Sequence, residues 1–196
     1  MPNTSATGGY LAPAASPAPL EGQSFDDFLQ QVVVGISGVE GKYVRPRWQR
    51  TPPNQPDFDV DWIAFGITSQ RPDTYAYVGP FGTGAAGETI QRHEACDILL
   101  SFYGPNATAV MERFREGTQI AQNREALFLA GMAHVETGEA VRLPRLDKEQ
   151  WLMRVDLTWA VRRIIMRTYP VLNVLSFHGV LRTDVGVPPF TESLTV

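Results

Sequence analysis

The side chains in this 196-residue chain with the chemistry for catalysis or metal binding are three histidines, one cysteine and a scatter of carboxylates. His93, His134 and His178 stand far apart, and no His-x-x-x-His, Cys-x-x-Cys or acidic loop of metal-ligand spacing occurs. His93 and Glu94 are adjacent on a predicted strand, so their side chains point to opposite faces and cannot share a metal. Cys96 sits beside Glu94 and Asp97 with no cation near it in sequence to favour the thiolate, so a small buried strand residue is a simpler reading than a nucleophile. Asp59, Asp61 and Asp97 could form a carboxylate set for acid–base work or magnesium. Solvated positions on and beside strands explain them equally well, and nothing nearby in sequence would perturb them. The run Gly79-Pro80-Phe81-Gly82-Thr83-Gly84-Ala85-Ala86-Gly87 lacks a following Lys-Ser/Thr. It leads into a strand, whereas a phosphate cradle opens a helix, so it reads as a connection between strands. The chemistry-bearing residues therefore predict no enzyme, no cofactor and no metal.

Composition narrows the class further. Charged residues make up 19% of the chain and the formal net charge is −4, which gives no broad attraction to nucleic acid or anionic membranes. Apolar residues make up 43%, with 10 Phe, 6 Tyr and 4 Trp, enough for a sizeable core. A single cysteine allows no intrachain disulfide and suits synthesis in a reducing cytoplasm. The Met1-Pro2-Asn3-Thr4-Ser5 start has no basic or apolar signal region, and no apolar run approaches the roughly 20 residues of a membrane span.

Residues 1–23 are rich in Pro, Ala, Gly, Ser and Thr, which predicts a flexible arm, disordered when free and able to lie along a neighbour in an oligomer. Residues 24–196 are expected to form one α+β domain with an extended C-terminal tail. Phe25, Phe28, Leu29, Val32, Val33 and Ile36 form one helical stripe, with Ser24 as its cap and Gly38 and Gly41 as its stop. Four prolines between Arg45 and Pro56 exclude helix there and favour an extended path. Strands are predicted over Val60–Gln70 and Ile90–Tyr103, the second interrupted on its apolar face by Arg92 and Glu94. A third strand places Trp151, Met153, Val155, Leu157, Trp159 and Val161 on one face, with Arg154, Asp156, Thr158 and Arg162 opposite. Helices are expected from Asn106 through Phe114 and over Arg124–Ala130, with a short hairpin around Thr137-Gly138 and an irregular C-terminal stretch. The fold class is α+β, a mostly antiparallel sheet with helices packed on one face.

Two segments are candidates for contact with partners. The polar face of the third strand, with Arg154, Asp156, Arg162 and the following Arg163, is either a solvated face with cross-strand ion pairs or a surface that meets a neighbouring subunit or lines a channel for DNA. Arg45, Arg47 and Arg50 around Trp48 form the second segment, since Trp and Arg favour interface centres, although Trp48 as a core residue is the competing reading.

Several blocks, taken in order, resemble a tailed-phage family of neck or tail terminator proteins. They are Arg45-Pro46-Arg47-Trp48-Gln49, Asp61-Trp62-Ile63-Ala64-Phe65-Gly66-Ile67, Arg92-His93-Glu94, Ser101-Phe102-Tyr103-Gly104-Pro105-Asn106-Ala107, Gln122-Asn123-Arg124-Glu125 and Trp151-Leu152-Met153-Arg154-Val155-Asp156-Leu157. Together they span roughly residues 24–180. The resemblance implies a structural virion protein at the head–tail junction with a tail-terminator-like sandwich whose sheet continues around a ring. It implies a homo-oligomer, a hexamer in such families, that caps the tail tube protein, meets neck and collar proteins and, in contractile tails, the sheath. DNA would pass through the lumen without specific binding. The rival readings are a head-closure or tail-completion protein that joins heads to tails, and a binding module encoded in a bacterial chromosome.

Overall fold

The chain is described here by a computed structural model that covers residues 3, 7–15, 18–51, 53–80, 87–147, 149–171, 176–181 and 190–195. It divides into two compact units, one of residues 19–76 and 92–165 and another of residues 1–18, 77–91 and 166–196. The elements in chain order are α1 (Gln23–Ser37), β1 (Val44–Pro46), β2 (Trp62–Pro72), β3 (Tyr77–Pro80), β4 (Glu88–Tyr103), α2 (Ala107–Gly117), α3 (Glu125–Leu129), β5 (Met132–Arg142), β6 (Arg145–Asp147), β7 (Gln150–Leu152), β8 (Arg154–Tyr169), β9 (Ser176–Leu181) and β10 (Phe190–Thr195). One sheet runs in the order β1-β2-β4-β8-β5, with β3 paired to β4 off that path. The β1–β2 pair is parallel, and β2–β4, β3–β4 and β5–β8 are antiparallel. The expected α+β architecture, mostly antiparallel with its helices on one face, is the one observed.

In the first unit, alternation decides the two faces of the sheet. Ile63 and Phe65 of β2, Cys96, Ile98, Leu100 and Phe102 of β4, and Val155, Leu157, Trp159 and Val161 of β8 all turn to one side. There they meet Phe25, Leu29, Val32, Val33 and Ile36 of α1 and Val110, Met111 and Phe114 of α2. Phe114 is the keystone between helix and sheet, edge-on to Trp159 at 5.4 Å and tilted against Phe102 at 6.0 Å.

The stripe from Phe25 to Ile36 makes α1 as the sequence predicts, and Gly38 in the left-handed region closes it, its N–H bonding the Val34 carbonyl at 2.9 Å. Ser24 lies inside the first turn rather than at the cap, where Gly22 stands, and its hydroxyl bonds Glu21 instead. Asn106 precedes α2 without a side-chain cap. Asp61 takes over, accepting the Asn106 N–H at 2.8 Å and its side-chain amide at 3.0 Å.

Four expectations change. The hairpin at Thr137-Gly138 is instead one continuous strand, β5, whose register shifts at His134/Glu136 and Thr137/Ala140 absorb the glycine. The third strand breaks at Met153. Leu152 is buried in β7, paired across from Arg145, while Trp151 and Met153 are exposed, so the predicted apolar face holds only from Val155 onward. Glu94, predicted as an interruption of the apolar face, is buried on it, and Arg163 joins it as the successor of Val161. The C-terminal stretch is not uniformly irregular, since in the second unit β9 and β10 form an antiparallel pair with Phe190 opposite Leu181. In the same unit the Ala14 N–H bonds the Thr168 carbonyl at 2.7 Å. Positions 81–86 of the glycine-rich run, 1–2, 4–6 and 16–17 of the arm, and 172–175 and 182–189 of the tail lie outside the described residues.

Candidate functional site

The face of the sheet opposite the helices carries a polar chain of contacts. Arg47, just after β1, donates to the Ser101 hydroxyl of β4, which donates to Asp156 of β8. Arg154 clamps the same carboxylate with two bonds, Nε to Oδ1 at 2.8 Å and Nη2 to Oδ2 at 2.6 Å. That contact raises the Arg154 guanidinium above its already high ordinary value, with burial acting in the other direction. Trp62 and Tyr103, directly opposed in the β2–β4 register, stack at 3.9 Å with planes 5° apart, and the Arg154 guanidinium lies over Tyr103. Three sequence-predicted residues, Arg47, Arg154 and Asp156, are thus brought together by Ser101, which was not among the predicted contact residues. The hydroxyl is fully buried and no histidine adjoins it, so the network braces the sheet and has no exposed nucleophile.

The other candidates go elsewhere. Arg45 donates to the Lys42 and Asn54 carbonyls at 3.0 and 2.6 Å, which ties down the proline-rich excursion. Trp48 is 72% exposed and so is not a core residue; it adopts a positive φ of 57° and its ring covers Gly66. A Cβ on Gly66 would come within 2.6 Å of that ring, so glycine there is required by the close approach. Arg162 pairs with Asp73 at 2.6 Å on the surface. Arg163 corrects its expected place: it is buried on the core side of the sheet, with Glu94 at 3.4 Å, the Leu20 carbonyl at 2.7 Å and the Phe25 ring beneath it, and is not on the polar face with Arg154, Asp156 and Arg162. The strand period explains this, since Arg163 is even-spaced from Val155 and falls on the core face.

A cleft bounded by the start of α1, Trp48 and Gly66 brings Arg47, Arg92 and Arg163 together with Glu21, Asp26 and Glu94. Its charges balance, so it has no net pull on an anion or a cation. Burial, reinforced by Asp27, raises the Asp26 carboxyl above the usual carboxylate range. The imagined carboxylate set does not assemble as a site: Asp61 holds Asn106, and Asp97 pairs with Arg71 at 2.7 Å. Burial pushes the Cys96 thiol up, away from a reactive thiolate. Among the described residues no group of three or more His, Cys, Asp or Glu could hold a metal ion, and no helix is long and apolar enough to cross a membrane.

The two ends of the sheet differ in a way the sequence reading missed. At β1 the outward backbone groups are all taken within the chain. The Val44 N–H bonds Gly41, the Val44 carbonyl accepts Gln30 Nε2 at 2.6 Å, Pro46 has no N–H, and its carbonyl accepts Gln49 Nε2 at 3.0 Å. At the other end β5 runs eleven residues with no strand on its far side among the described residues. Beside it Phe128 and Leu129 of α3 are 79% and 77% exposed, and a groove adjoins them whose apolar lining of Phe128, Met132, Ala133 and Ile164 is flanked by His93, Arg162 and Arg163.

The profile of the phage neck terminator protein family matches residues 23–184, well over half of the chain. The chain belongs to the phage neck terminator protein family. It is thereby a structural protein of the phage neck and tail region of the virion, and its partners are other proteins of that region. No curated protein sequence matches it. The blocks from Arg45 to Leu157 that carried the resemblance all lie inside the matched range of this neck terminator chain.

Proposed function

We propose that this chain caps the tail tube as a closed homo-oligomeric ring, hexameric as its family resemblance implies, which ends tail polymerisation and forms the head–tail junction. The observation that carries the reading is the inequality of the two sheet edges, with β1 closed by its own side chains and β5 open. The two ends offer different surfaces, so a contact that joins one end to the other repeats from copy to copy. Such head-to-tail contacts close into rings when the rotation allows. The role is one of shape, without catalysis. One face of the ring meets the last tube subunits, and the opposite face offers nothing on which another tube ring can build. Neck and collar proteins dock there, together with the sheath in a contractile tail. The net charge of −4 suits a lumen through which DNA slides, because phosphate-binding arginines would hold it by counterion release.

Electron microscopy of particles from a phage with a nonsense mutation in this gene tests the reading. Tails of uncontrolled length are expected. Tails of uniform length beside filled, unattached heads would overturn it and move the protein to the joining of heads to tails.

A further inference from the structure

We infer that His134 is an acid-sensitive latch, which as a neutral ring holds the connection between α2 and α3 against the sheet and as an imidazolium releases it. The two ring nitrogens serve two different elements. Nδ1 accepts the indole N–H of Trp159 on β8 at 3.0 Å. Nε2 lies 3.4 Å from the side-chain amide of Gln119, in the connection that follows α2.

These bonds fix the state of the ring. A nitrogen that accepts carries no proton, so the neutral ring bears its hydrogen on Nε2, and the Gln119 amide presents its oxygen there. Trp159 is wholly buried, so its N–H cannot turn to water when Nδ1 is protonated. A second ring proton then sets donor against donor, and the ring must swing away from Trp159. Both bonds depend on one ring orientation, so the same movement takes it off Gln119. The charges that face the ring push in the same direction. Arg124, which ends the turn Gln122–Arg124 ahead of α3, repels an imidazolium, and exposed Glu136 on β5 attracts it. On α2 and β8, Arg115 is paired with Glu112 and Arg162 with Asp73. Burial first, and Arg124 next, disfavour the imidazolium, so the latch is shut at neutral pH and opens in acid. The register of β5 shifts between His134 and Glu136, so no regular ladder braces the strand at that point. Residues 119–123 are all exposed, and little burial opposes their release. The connection leads into α3 beside the open β5 edge, so acid alters the surface at that end of the sheet.

Hydrogen exchange of the full-length chain tests the latch, read by mass spectrometry at about pH 7.5 and about pH 5 and normalised to intrinsic exchange rates. The backbone N–H groups of Thr118, Gln119, Ile120, Asn123 and Arg124 are all bonded within the chain, so their protection reports whether the connection is in place. After normalisation, peptides over residues 118–124 should exchange at least about tenfold faster at the lower pH, while peptides of α1 keep their protection. His134→Gln, whose amide oxygen offers the indole an acceptor at either pH, should abolish the acceleration. Arg124→Gln should move its onset to higher pH, because one cause that disfavours the imidazolium is gone. No acceleration in the wild type, or an equal one in His134→Gln, would overturn the latch. Loss of protection in α1 over the same pH range would overturn it too, since that marks unfolding of the whole domain. Should His134→Gln fail to fold, Arg124→Gln decides the matter: a raised onset supports the latch and an unmoved one refutes it.

Discussion

Glu94 and Arg163 face each other inside the core, a carboxylate oxygen 3.4 Å from a guanidinium nitrogen with both side chains about one-twentieth exposed. Each has further support. Arg92 approaches the carboxylate at 3.7 Å, and the Leu20 carbonyl and the Phe25 ring hold the guanidinium. The pair turns the end of an apolar sheet face into a lock between β4, β8 and the chain entering α1. Removal of one partner leaves the other charge almost wholly buried without its main counter-ion. Glu94→Ala or Arg163→Ala should each cost about 3–5 kcal/mol in chemical denaturation, while Glu94→Leu combined with Arg163→Met should cost clearly less than the sum. Additive single losses would show that the two side chains act independently.

Asp61 and Gly104 form a second tight joint. Gly104 has φ 108°, and a Cβ there would lie 2.5 Å from Asp61 Oδ1 and 2.6 Å from the Val60 carbonyl oxygen. Gly104→Ala should therefore lose about 1–3 kcal/mol. Asp61→Ala, which strips the Asn106 N–H of its acceptor at the start of α2, should lose about 1 kcal/mol. Thermal melts of both variants check the order, and an unchanged Gly104→Ala would contradict the close approach.

His134 makes stability depend on pH. Its Nδ1 accepts the Trp159 indole N–H at 3.0 Å, which only the neutral ring can do. Burial lowers the imidazole below its ordinary value, the Arg124 charge lowers it further, and Glu136 acts weakly in the opposite sense. The unfolded chain, with an ordinary imidazole near about 6.5, then binds the proton more readily than the folded one. The stabilisation is fully present above that value and is lost as the pH falls through it. The melting temperature should drop between about pH 7.5 and 5.5, and His134→Gln should flatten that drop. An equal drop in the variant would assign the effect to other groups.

The arm can be removed without loss of the main fold, provided the cut spares Leu20. Leu20 packs on the core and its carbonyl accepts from Arg163. Deletion of residues 1–18 should leave the far-ultraviolet dichroism of the domain intact and weaken ring assembly, whereas deletion through residue 20 should also destabilise the fold. Undiminished assembly of the shorter deletion would remove the arm from the interface.

Period-based features were legible. The stripe of α1 and the run from Val155 to Val161 bury the residues their spacing marks. What escaped depends on exceptions to a period or on distant pairing. Thr137-Gly138 has turn chemistry, yet two bulges carry the strand through it. Trp151 and Met153 continue the alternation of β8 in sequence, but the chain breaks at Met153 and flips them outward. Arg163 looks like the surface because of its charge, while its even spacing from Val155 is the sounder guide. The bonds that close β1 join Gln30 and Gln49 to a three-residue parallel strand, and no local pattern foretells them. For the site, the sequence pointed to Arg47, Arg154 and Asp156, but the bridging role of Ser101 needed the β4 and β8 neighbours in place.

Cys96, the sole cysteine of the chain, is wholly buried and its thiol is held up by desolvation. An accessible thiolate in a neck protein would age into sulfenic acid or cross-links between particles. With its one sulfhydryl shut behind the β4 wall, this chain offers no thiol to an oxidant at its surface.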